Sequence, residues 1–376
     1  MNYLREKLGL VYLLIPFFSP VKNKIGLVFQ ILVGIKEYNV KIDNSKSVKF
    51  KSHKFASLLH FLIILTYAIK CEIKNDRIII KLGNKSNFNL PLSNLDYQDY
   101  NLLELIAQSL RFGADFVSDD EIGHNKLRNK TLKIISKNKD RKIVETSSGI
   151  KFYLDSIHPG NSIIETFVKE IHLINSNFNW NDKVIVDVGA ECGDTPLFFA
   201  DLGAKVFACE PIKEHFDAML QNLELNPQLS NKIIPINIGI GKDEDLIFYQ
   251  SKDGNVGKTS FLSNQHGKNV KTVKVKGYSL ESLIEKYHIN KIDLLKMDCK
   301  GCENFLNKKI LNIVEQVKIE YSHQFEKNFL LEDILNLLND SGFSISLYNI
   351  DPFFHKSINK GVTIYGIKKN INFNEK

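Results

Sequence analysis

The stretch VIVDVGAECGDTPLFFADLGAKVFACEP, residues 184–211, governs how the rest of the chain is read. It opens on an apolar, β-branched run that breaks at Gly189, passes Ala190 and Gly193, and resumes as the helical segment TPLFFADLG, residues 195–203. A second apolar run, KVFACE, then ends in Glu210 and Pro211. Strand, turn, helix and strand in that order describe a parallel pair joined by a crossover. Glycines in such a turn let backbone approach a ligand closely, and open sheets bind beyond the carboxyl ends of their strands. A dinucleotide fold wants G-x-G-x-x-G, whereas this turn reads G-A-E-C-G, which disfavours a nicotinamide cofactor. Glu210 lies 23 residues after Asp187. An acid at the tip of a second strand accepts hydrogen bonds from the ribose hydroxyls of a nucleoside ligand.

Working outward, further β-rich runs appear at IIPINI (233–238), IDLLKM (292–297) and VKIEY (317–321). Helical stretches KEHFDAMLQNLELN (213–226) and YSLESLIEKY (278–287) alternate with them. The end of the chain, GFSISLY (342–348) and GVTIYGIKK (361–369), has no helix between its runs and reads as an antiparallel hairpin. The expected fold is α/β, a doubly wound, mostly parallel, seven-stranded Rossmann-like sheet closed by that hairpin. After the third run, NIGIGKDEDLIFY (237–249) offers Gly239 and Gly241 for a tight turn, then Asp243, Glu244 and Asp245. Two readings stand for this loop: a flank for a bound base, or a polar turn into the strand LIFY.

The chain changes character near residue 143. Residues 1–142 read as a smaller α+β accessory domain and residues 143–376 as the sheet domain, beginning with a strand GIKFYLD (149–155) and a helix 161–174 capped by Asn161 or Ser162. The first domain holds a hairpin turning at Asn75 and Asp76 and an amphipathic helix over 101–112. It also holds two apolar runs, LGLVYLLIPFF (8–18) and FASLLHFLIILTYAI (55–69). The second falls short of the roughly 20 residues of a spanning helix, so both are expected as buried helices, with attachment to a membrane surface as the alternative. Glu6, Pro16 and the lack of a small-residue cleavage site argue against a signal peptide. The segment 126–142 carries eight Lys or Arg against Asp140 alone; a solvated face or linker is expected there, and no nucleic-acid partner. With 376 residues, 43% of them hydrophobic, and a net charge of +7, the composition is that of a soluble globular protein. Five sparse cysteines exclude a secreted disulfide framework and point to a reducing, cytoplasmic setting.

The octapeptide KMDCKGCE, residues 296–303, poses a choice. Cys299 and Cys302 have the Cys-x-x-Cys spacing of redox dithiols and of half a zinc site. The chain offers no second cysteine pair, and the octapeptide follows a sheet strand and includes Asp298 and Glu303. No metal is expected, and the two thiols are expected to serve packing.

The series VDVGAECGDTP, ACEP, NIGIGKDED and YSLESLIEKYHINKIDLLKMDCKGCE resembles the FkbM-type methyltransferases, from about residue 149 to 369. That family shows a D-V-G-A-N-x-G-D-x-S turn, an E-P after the second strand, and I-D-L-L-K-I-D-V-E-G-A-E after an S-L-D-x-L helix. The resemblance implies the class I methyltransferase fold and S-adenosylmethionine as cofactor. It also implies O-methyl transfer to a hydroxyl of a sugar, glycan or secondary metabolite. By position it places Asp187, Gly189, Ala190, Glu191, Gly193, Asp194 and Thr195 on the methionine side of the cofactor. Glu210 falls at the ribose, and Pro211 and Gly239 are further candidates for contact with the cofactor. Lys296, Asp298 and Glu303 fall on the K-x-D and final E positions, and the loop 254–264, with Thr259 and Ser260, faces the acceptor. Glu191, Pro196 and Lys300 depart from the pattern, where Asn, Ser and Glu are usual.

A hydroxyl acceptor needs alignment with the methyl group and benefits from a base in reach. Asp298 is the first candidate and His323, after the fifth strand, the second; Glu303 either contacts the acceptor or positions Asp298. Two rivals remain: a catalytically inactive protein that keeps the binding fold, and a redox or metal module built on Cys299 and Cys302.

Overall fold

Seven strands form the sheet that carries the site: β1 Val184–Val188, β2 Lys205–Cys209, β3 Ile233–Ile236, β4 Leu294–Met297, β5 Gln316–Tyr321, β6 Phe343–Tyr348 and β7 Val362–Lys368. The computed structural model describes residues 20–42, 46–82, 87–112, 115–118, 131–137, 141–157, 159–173, 178–251, 259–260, 270–321, 330–348 and 362–369. The strand order is β3-β2-β1-β4-β5-β7-β6. β1 pairs in parallel with β2 and β4, β2 with β3, and β4 with β5, while β7 runs antiparallel between β5 and β6. The order reverses between β1 and β4, which places a crevice at their carboxyl ends.

The central strands read as unbroken apolar runs because both faces are covered. Val186, Leu295 and Val317 from β1, β4 and β5 share one core with Leu283, Leu311 and Leu338. Helix α1, Asp194–Asp201, follows β1, and α2, Lys213–Glu224, follows β2. α3, Leu280–Tyr287, precedes β4, and α4, Leu331–Asp340, precedes β6. Between β3 and α3 the chain builds a small second sheet from Gly239–Ile240, Asp245–Ser251, Thr259–Ser260 and Val270–Tyr278.

Asp243 has a structural task rather than a place at a base. Its carboxylate accepts from Ser279 N and from the Ser279 and Ser282 hydroxyls, each at 2.8 Å. The Ser279 hydroxyl in turn accepts from Ser282 N, so one acid and two serines close the start of α3.

Two compact units divide at Glu170 and Ile171 rather than near 143. The reason is local: Arg141–Glu145 pairs with Thr131–Lys137 and Lys151–Tyr153, extending a sheet of the first unit. The helix expected over 161–174 is a π-helix over Pro159–Val168, entered at a proline and followed by Glu170 at φ +53. Neither Asn161 nor Ser162 stands at its start. In the first unit, helix Phe55–Tyr67 buries Leu58, Phe61, Leu62 and Leu65, and the Phe61 ring packs tilted against Phe50, centroids 5.3 Å apart. The strands Ala68–Lys74 and Arg77–Leu82 turn through Asn75 and Asp76 at φ 46 and 56, the primed turn that matches strand twist. Among the described residues no helix is long and apolar enough to cross a membrane. The apolar run 8–18 and residues 126–130 and 138–140 of the basic segment lie outside the described residues, while the rest of that segment belongs to the strands Thr131–Lys137 and Arg141–Glu145 instead of a helix face or linker.

Candidate functional site

The turn after β1 is tied to its neighbours on both sides. Gly189 adopts φ +86, and a Cβ there would collide with the Asp298 carbonyl at the end of β4. Only glycine suits both the angle and the approach. Gly193, also at φ +86, faces another way: a Cβ would meet the Met219 side chain of α2 at 2.9 Å. Asn222 of α2, fully buried, donates to the Cys192 carbonyl at 2.9 Å and anchors the turn from behind. The second glycine therefore serves packing of turn against helix.

Glu210 at the tip of β2 is held with both oxygens occupied. One accepts from Ile212 N at 2.8 Å and the other from Glu191 N at 3.0 Å. His215, in the first turns of α2, brings Nδ1 to 3.4 Å from the same carboxylate. Burial works against a charge on this imidazole, but the Glu210 carboxylate outweighs it, with Glu191 and Glu214 adding, so its pKa is raised. His215 Nε2 is buried with no hydrogen-bond partner among the described residues.

The end of β4 supplies the opposite wall. Asp298 meets Lys300 Nζ at 3.3 Å. Burial alone would raise the Asp298 carboxyl, yet Lys300, Lys296 and Lys318 outweigh it and lower its pKa to about 2. Lys300 takes φ +52 and Gly301 φ +132, and Gly301 N donates to Glu303 Oε2 at 2.6 Å. Cys299 and Cys302 are joined as a disulfide across this bend. That corrects the expectation of two thiols in simple packing: the bend brings them together, with Cα atoms 5.6 Å apart.

These elements enclose one cleft. Val188, Gly189, Glu191, Glu210, Pro211, Ile212, His215, Ile238, Ile240, Phe248, Asp298, Cys299, Lys300 and Cys302 line it. Burial raises the Glu191 carboxyl, with Glu210 adding and His215 and Lys300 opposing.

Beneath the cleft runs a row of buried charges across the sheet. Asp187, Lys296 and Lys318 occupy adjacent register positions on β1, β4 and β5. Lys296 donates to Asp187 Oδ1 at 2.8 Å and to the Gly189 carbonyl at 3.2 Å. Burial lowers the pull on the Lys296 proton, but Asp187 and Asp298 reverse that and raise its pKa. Burial raises the Asp187 carboxyl, with Lys296 opposing. Lys318, fully buried, donates to Glu320 at 2.9 Å and lies 3.0 Å from His172 Nδ1. An ammonium only donates, so Nδ1 accepts and Nε2 carries the proton toward the Thr195 hydroxyl at 3.4 Å. Burial, then Lys318 and Lys296, hold His172 well below its ordinary pKa.

Of the residues singled out from sequence, Gly189, Glu191, Glu210, Pro211 and Asp298 line the cleft. Asp187 and Lys296 sit under its floor, bonded to each other. Ala190, Gly193, Asp194 and Thr195 are not among its lining residues; Thr195 faces His172, and Asp194 Oδ1 lies 3.6 Å from Cys192 Sγ. Gly239 packs against Phe248 and Leu246 of the small sheet, and Glu303 is fully buried behind the bend. His323 and most of the loop 254–264 lie outside the described residues. Sequence reasoning missed His215, His172, Lys318 and Glu320. His215 follows the E-P pair by one helical turn, a spacing that would have singled it out; the other three become neighbours only through the sheet.

A glycine turn after the first strand and an acid after the second, on a seven-stranded sheet of this order, are features of a Rossmann-like α/β fold. Residues 187–345 match the family model described as the Methyltransferase FkbM domain. Two of the solved structures that the chain resembles serve as examples. Magnesium protoporphyrin IX methyltransferase from Synechocystis PCC 6803, with bound SAM, is 11% identical over 57% of this chain and 83% of its own, at a TM-score of 0.34. The fibrillarin pre-rRNA processing protein of Methanococcus jannaschii is 17% identical over 80% of this chain and 97% of its own, at a TM-score of 0.35. No curated protein matches the chain.

Proposed function

We propose that this protein binds S-adenosylmethionine in the cleft between β1, β2 and β4 and transfers its methyl group to a hydroxyl of a sugar, glycan or secondary metabolite. The observation that carries the reading is Glu210, a buried carboxylate lining the cleft and held by two backbone N–H groups. The residues fit the cofactor. Glu191, Glu210 and Asp298 face a ligand whose sulfonium is cationic, and the unpartnered His215 Nε2 offers a further polar contact at the same end. The bound cofactor supplies an electrophilic methyl group. Glu210 accepts from the ribose hydroxyls, the Gly189 turn admits the ligand close to backbone, and Asp298 takes the proton of the acceptor hydroxyl.

Equilibrium dialysis with labelled S-adenosylmethionine tests the binding. Hydrogen bonds to a charged acceptor contribute roughly 1.5–3 kcal/mol, so Glu210→Gln is expected to weaken binding about 10- to 100-fold. Affinity equal to that of the unchanged protein removes the assignment. A second reading, binding without turnover, is favoured by the Lys300 contact that holds the Asp298 carboxylate in an ion pair. Label transfer into sugar and lipid fractions separates the two: cofactor bound and no transfer supports the second.

Anionic membrane surface is the proposed partner of the N-terminal unit. Helix Lys24–Val33 exposes Ile25, Phe29 and Val33 at 88, 64 and 60%, one stripe at four-residue spacing, beside exposed Lys22, Lys24 and Lys36. Sedimentation with phosphatidylglycerol vesicles but not with neutral ones is expected, and is lost in Phe29→Glu. Equal sedimentation of that variant removes the assignment.

A further inference from the structure

We propose that Cys299 and Cys302 form a redox-active dithiol–disulfide site in the wall of the cleft, with a dithiol reductant as its co-substrate. Four observations carry this. The bridge joins two residues that both line the cleft. The remaining cysteines, Cys71, Cys192 and Cys209, take no part in a disulfide, so the oxidised pair is specific to this bend. The bridge closes a loop of sequence separation 3, where its constraint on the unfolded chain is smallest, so its effect is local rather than global. Finally, Cys299 is half-buried and Cys302 is 2% exposed, which gives an incoming thiolate one sulfur to attack.

The exchange balances as follows. A thiolate of the reductant attacks Cys299 Sγ, forming a mixed disulfide and breaking the Cys299–Cys302 bond; Cys302 leaves as a thiolate and takes a proton. The second thiolate of the reductant attacks its own sulfur in the mixed disulfide, and Cys299 leaves and is protonated. Two electrons and two protons pass to the protein, and the reductant leaves as a disulfide.

What changes is the wall itself. The ring formed by the bridge holds Lys300 and Gly301 at φ +52 and +132, and in that bend Lys300 Nζ lies 3.3 Å from Asp298. Opening the ring returns rotational freedom to both side chains and removes the restraint on Lys300, a non-glycine residue in the left-handed region. A wall that is no longer fixed in advance binds its ligand less tightly.

The test uses the full chain in buffers of varied ratio of reduced to oxidised dithiothreitol. Acid-quenched, denatured samples are alkylated with N-ethylmaleimide and weighed by mass spectrometry, and S-adenosylhomocysteine binding is measured by calorimetry in parallel. Of the five cysteines, three are expected to label on the oxidised protein and five on the reduced, with one transition between. Reduction is expected to weaken S-adenosylhomocysteine at least threefold. Cys299→Ala and Cys302→Ala, each checked for fold by circular dichroism, are expected to show the weaker affinity at every ratio. A label count that never changes overturns the proposal, as does equal affinity in the two states, or stoichiometric zinc on the reduced protein. The affinity arm rests on the methyltransferase reading. Binding in neither state defeats that reading, and the label count still decides the redox site.

Discussion

Lys300 is the residue on which the chemistry of the cleft turns. It stands where the family pattern has an acid, and it meets Asp298 at 3.3 Å. Together with Lys296 and Lys318 it keeps the Asp298 carboxyl ionised down to about pH 2, which makes this carboxylate a weak base. Removing the charge in Lys300→Met leaves burial less opposed. The Asp298 pKa is then expected to rise by at least about one unit, read by carbon-13 NMR titration of the carboxylates. The acid limb of a methyl-transfer profile moves up with it; an unshifted carboxylate shows that Lys300 does not set its acidity. Gly189 is the other decisive position. Alanine at φ +86 adds about 1–2 kcal/mol of backbone strain and drives its Cβ into the Asp298 carbonyl. Gly189→Ala is therefore expected to lose more than about 2 kcal/mol in urea unfolding, whereas a loss below about 0.5 kcal/mol contradicts the contact.

At the scale of elements, the loop between β3 and α3 shows how an acidic cluster is put to structural use. Asp243 joins three donors at the start of α3, and this holds its carboxyl below the ordinary range, with the Ser279 backbone bond the main cause. Asp243→Ala removes those acceptors and is expected to cost about 1–2 kcal/mol, seen as a lower thermal midpoint with the β-sheet signal unchanged. An unchanged midpoint shows that α3 starts without it. From sequence this loop read equally as a flank for a base, because acid-rich turns look alike until their donors are placed. Apolar periodicity and glycine breaks made the strands, α3 and the terminal hairpin legible. The π-helix was read too long, since its apolar spacing continues past Val168 while the backbone turns at Glu170.

Across the whole molecule, what the sequence displayed were local signals: the Gly189 turn, Glu210 at a strand tip, the alternation of runs and helices. Two features escaped it, one because of distance in sequence and the other because of chemical state. Lys318 and His172 lie 146 residues apart and meet only in the folded second unit. A Cys-x-x-Cys spacing is the same whether reduced, metallated or bridged. The buried row also sets how stability depends on pH. The folded pKa of His172 is depressed below its unfolded value near 6.5, because burial and two lysines oppose a second proton. Below that pH the unfolded chain binds a proton that the folded chain refuses, so this stabilisation is complete above about pH 6.5 and is lost as pH falls. His60, lowered to about 4 by burial and Arg111, acts with the same sign in the first unit. His215, raised, acts oppositely: its contribution is full below about pH 6.5 and is lost as pH rises through its folded value. The thermal midpoint is thus expected to fall between pH 7 and pH 5. His172→Gln, which keeps an acceptor for Lys318 but cannot titrate there, is expected to flatten that fall, and His60→Gln to flatten it separately. A slope that survives both substitutions places the acid sensitivity in carboxylates instead of these two imidazoles.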